Sequence, residues 1–207
     1  MRRLFDMDNP VMKALSVAAD LLVLNLLTLL CSLPILTAGA AFTAMSDIVI
    51  RLVRQEEGYI VKPFFRSFAG NLKKGSLLGI LLLAAAALLY FDYLAALVYI
   101  PALRAGIAAI AVIVLAVALY AFPLLARYEN TLGGTLKNAA TLSVGYFPRT
   151  LAMVVCAVGF WVLALRFASF GVPILTMFGL SLPCYVCVLL LNGVFHKLEN
   201  SDPPENE

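Results

Sequence analysis

Chemistry in this chain would fall to the few ionisable side chains set inside long apolar runs. Asp20 and Asn25 lie in one such run, and Asp47 and Arg51 in the next. A charge held in hydrocarbon costs about 3 kcal/mol, so such groups pair, line a wet path or relay protons. Asp47 and Arg51 are four residues apart, on one face of a helix, where they can pair. Asp20 follows Lys13 by seven residues, so an antiparallel hairpin would bring both carboxylates to a similar depth. Asp20, Asn25, Asp47 and Arg51 then form either a lock between helices or a polar site for a proton or substrate, and the lock is the simpler reading. A second group, Asp92 with Arg104 and Arg166, is expected at the opposite end of the spans.

Other chemistry has little material. His196 is the single histidine and sits at the end of an apolar run. Cys184 and Cys187 have C-x-x-C spacing, but without a second pair or a nearby histidine they read as buried thiols. No phosphate-cradling glycine loop, G-x-S-x-G or H-E-x-x-H occurs. The expectation is a non-enzyme with no cofactor and no metal.

The elements that must position these residues follow from composition. Of 207 residues, 63% are hydrophobic and 13% charged, and the mean hydropathy is +0.97. A soluble domain is nearer a quarter charged, and a chain this short cannot hide so much apolar surface in one aqueous core. The lipid bilayer is the expected solvent. The net charge of +3 is spread between apolar runs as a topology signal, not gathered as a nucleic-acid footprint. Asp6 and Asp8 interrupt the basic leader, and the first apolar run is too long for a signal peptide, so it is expected to be a retained span.

About 20 apolar residues cross a bilayer. Spans are expected at about 14–33, 75–97, 105–126, 150–170 and 172–195. The doubtful segment, about 35–52, begins with SLPILTAGAAFTAM. Counting it as a span places every Lys and Arg except Arg104 and Arg166 on one side, which is the cytoplasmic side by the positive-inside rule. Pro34 ends the first helix, and Gly39, Ala40, Ala41 and Ala44 give the next one a small-residue face for close packing against the first. The expected architecture is an all-α polytopic bundle of six membrane helices, with both termini cytoplasmic. Residues 1–198 form one transmembrane domain, and 199–207 a disordered acidic tail.

Two longer connections share the cytoplasmic side, RLVRQEEGYIVKPFFRSFAGNLKKGS and ARYENTLGGTLKNAATLSVGYFPRTL. Each has an Arg shortly before a Glu and a short amphipathic stretch, expected as an interfacial helix. Phe64, Phe65 and Phe68 make an apolar stripe in the first. With Glu56, Glu57, Asn71 and Glu129 they form either a headgroup anchor or a docking surface for a partner.

FDMDNP, Asp20-Leu-Leu-Val-Leu-Asn25, SLPILTAGAAFTAM and RQEEGYIVKPFFRSFAGNLKKG together resemble the YesL family of bacterial membrane proteins. These motifs cover about residues 4–75. The family is a domain of unknown function often encoded beside carbohydrate-uptake genes. The resemblance implies a multi-pass protein of the bacterial cell membrane, accessory to a carbohydrate ABC-type uptake system, with permease subunits of the importer as partners. The alternative is a small stand-alone transporter using the intramembrane polar site. The family supplies no catalytic residues to carry over.

Overall fold

The structure is a computed structural model that describes residues 10–56, 58–98, 100, 102–128, 130–166 and 177–199. Outside these lie the first motif up to Asn9, Glu57, Glu129, the start of the expected last span and the acidic tail from residue 200. Among the described residues, seven α-helices of defined extent follow in order: α1 Pro10–Cys31, α2 Ala38–Val53, α3 Val61–Val98, α4 Leu103–Arg127, α5 Leu132–Gly145, α6 Phe147–Arg166 and α7 Ser181–Glu199. No strand occurs among the described residues. In hydrocarbon each backbone N–H and C=O must be satisfied within the chain, and a helix does this within one segment. The protein is a polytopic helical bundle.

Among the described residues, five stretches are long and apolar enough to cross a membrane: Met12–Cys31, Ile35–Val53, Val61–Leu97, Leu103–Arg127 and Phe147–Arg166. The doubtful segment is one of them. The apolar part of α7, Ser181–Gly193, is shorter, about 20 Å at 1.5 Å per residue.

Between α1 and α2 the chain turns through a single 3-10 turn, Ile35–Thr37. The Thr37 hydroxyl lies 2.7 Å from the Cys31 carbonyl oxygen and 2.9 Å from that of Pro34, and shares its proton between them. One side chain thereby closes the end of α1, whose last carbonyls have no partner within the helix. The other end of α2 stops at a left-handed residue, Gln55, with φ of 57°. There Gln55 N–H donates to Leu52 O and Glu56 N–H to Arg51 O, both at 3.1 Å, the paired bonds of a Schellman stop.

The least apolar of the five spans, α2, sits at the centre of the bundle, with more than half of its residues buried. It packs against α1, α3, α4 and α7. The order is physical: lipid-facing helices need apolar side chains all round, whereas a central helix needs small ones. Here the expected partner of the small-residue face is corrected. Gly39 and Ala40 meet α3, not α1, because α3 brings its own Gly75 and Gly79 to the crossing. A Cβ added at Gly79 would lie 2.6 Å from the Gly39 Cα, and one at Gly75 would lie 2.8 Å from the Ala40 Cα. The two backbones touch, as in small-xxx-small crossings of membrane helices. Ala44, further along α2, packs instead with Leu21 and Leu24 of α1.

The first connection also differs from the expected short interfacial helix. Its amphipathic stretch is the opening part of α3, which continues unbroken for 38 residues, about 57 Å. Nothing between Val61 and Lys74 breaks a helix, and Pro63 sits in the first turn, where its missing N–H is harmless. The second connection does hold a separate helix, α5. Thr131 caps it, its hydroxyl oxygen accepting from Gly134 N–H at 3.3 Å.

Candidate functional site

Asn25 is the most enclosed of the expected polar residues. The face of α1 that carries Leu21, Leu24, Asn25 and Thr28 is buried, at the i, i+3, i+4, i+7 spacing of one helix side. The Asn25 Oδ1 accepts from Leu180 N–H at 2.9 Å and from Ser181 N–H at 3.2 Å. These are donors at the start of α7, which no intrahelical carbonyl can satisfy. A side chain of the first span therefore caps the last helix. The cap places the start of α7 about 9 Å inside the C-terminal end of α1.

Asp47 and Arg51 pair along one turn of α2, Nε to Oδ1 at 3.3 Å, with the Arg51 side chain 49% exposed and that of Asp47 19% exposed. Asp20 is half-buried on α1 and makes no ion pair among the described residues. Asn25 bonds to the start of α7 and Asp47 bonds to Arg51 along α2.

The second expected group does not assemble either. Arg104, at the start of α4, donates from Nη2 to the Leu97 carbonyl at 3.0 Å. A guanidinium at the carbonyl end of α3 is favourable in its own right, and it takes the place of the expected bond to Asp92. Asp92 is exposed on α3, and Arg166 is exposed in the last turn of α6.

The aromatic stripe divides. Phe64 is fully buried against α1 and α2, and Phe68 packs at the edge of the same cluster. Their rings stack at 6.3 Å. Phe64 is therefore a core residue and leaves the expected docking surface. Phe65 stays exposed and joins Val61 and Leu72, also exposed, on one line of α3. Lys62, Arg66 and Lys73, all exposed, follow the same spacing one position further round, a basic strip beside the apolar one. Asn71 bonds within its own helix, to Ser67 O at 3.0 Å. Glu56 is exposed just past the end of α2. Lys74 Nζ donates to Asn130 O at 3.3 Å, which ties this strip to the connection between α4 and α5.

Two features had escaped the sequence reading. Tyr120, fully buried in α4, bonds to the Thr150 hydroxyl of α6 at 2.9 Å, and Thr150 in turn donates to Ser143 O at 2.8 Å. A tyrosine late in an apolar run and a threonine early in another are the only sequence signals of this bond. The second is a cavity of about 460 Å³ between α2, α4, α6 and α7, with Phe42, Phe122, Trp161 and Cys184 in its wall. No metal-binding cluster occurs among the described residues.

Residues 21–93, from within α1 to late in α3, match the family described as "Protein of unknown function, DUF624". The matched segment holds the α1–α2 turn, the glycine crossing and the amphipathic opening of α3. No curated protein matches the chain, and no solved structure does.

Proposed function

We propose that the chain is an integral membrane accessory protein of the bacterial cell membrane that docks beside a carbohydrate ABC-type importer, as its resemblance to the YesL family implies. The observation that carries the docking role is the strip on α3. Val61, Phe65 and Leu72 expose apolar surface beside Lys62, Arg66 and Lys73, on a helix about 57 Å long, well beyond the roughly 30 Å of hydrocarbon. A rigid, amphipathic extension of a membrane helix suits contact with the aqueous part of a permease or with its ATPase. The reading as a stand-alone transporter would draw on Asp20, Asn25 and Asp47; the bonds described for Asn25 run to α7 and that of Asp47 to Arg51 along α2.

Co-purification from native membranes tests the proposal. Phe65→Ala with Leu72→Ala should lower recovery of a co-encoded permease several-fold while membrane levels of the protein stay unchanged. Phe64→Ala should instead lower stability, by about 3–5 kcal/mol for a core phenylalanine. Unchanged permease recovery with the double variant would end the docking role. Sugar flux in liposomes holding this protein alone would favour the transporter reading.

A further inference from the structure

The cavity between α2, α4, α6 and α7 has chemistry of its own. Its volume of about 460 Å³ lies within the roughly 300–1,000 Å³ of ligand sites. The wall is almost wholly apolar. Its one hydroxyl among the described residues, Ser46, already donates to Phe42 O at 2.9 Å and lies 3.9 Å from the Cys184 sulfur. A sugar would find no ring of donors and acceptors here, and burying its hydroxyls unpaired would cost several kcal/mol. The α6 side of the wall, Val158, Trp161, Val162 and Leu165, is itself exposed, so the cavity opens sideways onto the surface that faces lipid. Arg166 lies one helical turn beyond Val162 on the same side of α6, is exposed, and makes no ion pair among the described residues.

We infer that this cavity seats one acyl chain of an anionic phospholipid, with the headgroup phosphate held by Arg166. The apolar slot takes the tail, and a guanidinium one turn above it is placed to meet phosphate, with which it pairs well. The inference stands apart from the importer reading, and its lipid titration needs no permease.

Trp161 is the only tryptophan of the chain and stands in the cavity wall, so it reports directly. Phosphatidylglycerol with brominated acyl chains is titrated into the full-length protein in detergent micelles, and Trp161 quenching is followed. A bound tail should give a saturable phase. Ala157→Phe, which fills the cavity from α6, should remove that phase, and Arg166→Gln should move its midpoint several-fold to higher lipid. If Ala157→Phe fails to fold, judged by thermal unfolding, Ala118→Phe intrudes on the same space from α4. Quenching that rises without saturation, alike in wild type and filled variants, would overturn the inference. So would a Trp161 emission shift caused by added permease with no saturable lipid phase, which would assign the slot to a protein helix.

Discussion

At the residue scale the most consequential side chain is Asn25, whose single oxygen serves two backbone donors of another helix. Asn25→Leu keeps similar bulk and removes the acceptor. Each buried donor left unpaired costs about 1–3 kcal/mol, so a loss of that order is expected in thermal unfolding in detergent, with faster hydrogen exchange at Leu180 and Ser181. Asn25→Asp keeps an oxygen that can accept from both donors. It should recover part of the loss, whereas a residue that only filled space would tolerate Leu better than Asp. Asn25 was legible in the sequence as a polar group out of place. Its task was not, because its partner lies 155 residues away and no local pattern connects them. Arg104 misled for a related reason. Its acceptor is a backbone carbonyl, which side-chain chemistry alone does not reveal.

At the scale of elements the spans were readable because lipid leaves an apolar run little choice but helix. The join between the first connection and the third span was harder to see. Charges between Lys62 and Lys74 look like a loop on a hydropathy scale, yet they keep the helix period, and the helix runs through. The α2–α3 crossing was half readable. Small residues on α2 announced close packing, but the partner was set by Gly75 and Gly79 at the start of the next expected span, and no pattern within α2 says which neighbour carries the matching glycines. Gly79→Leu should disrupt this crossing, since its first side-chain atom would fall 2.6 Å from the Gly39 Cα. A destabilisation of at least about 1–3 kcal/mol, the usual range for overpacking, is expected in detergent unfolding. Gly106→Leu is the control. Nothing lies within 4 Å of a Cβ built there, so its stability should hold or rise, leucine being the better helix former.

For the whole molecule the open quantity is orientation across the membrane, which charge bias assigns and labelling can measure. In a background lacking Cys31, Cys156, Cys184 and Cys187, Leu36→Cys and Gly58→Cys probe exposed positions at opposite ends of α2. With the basic connections inside, an impermeant maleimide should label position 36 on intact cells and position 58 only after permeabilisation. Labelling of 58 from outside would invert the arrangement. The Asn25 cap also has a consequence for biosynthesis. Helices leave the ribosome in order, so α1, α2 and α3 can enter the bilayer and close their glycine crossing early, while the donors that Asn25 will serve have yet to be made. Until α7 is translated, that amide stands in the nascent bundle without them. A nascent chain halted before Gly179 therefore lacks the contact that ties α1 to α7, and α7, when it enters the bilayer, finds the acceptor for its first donors already in place.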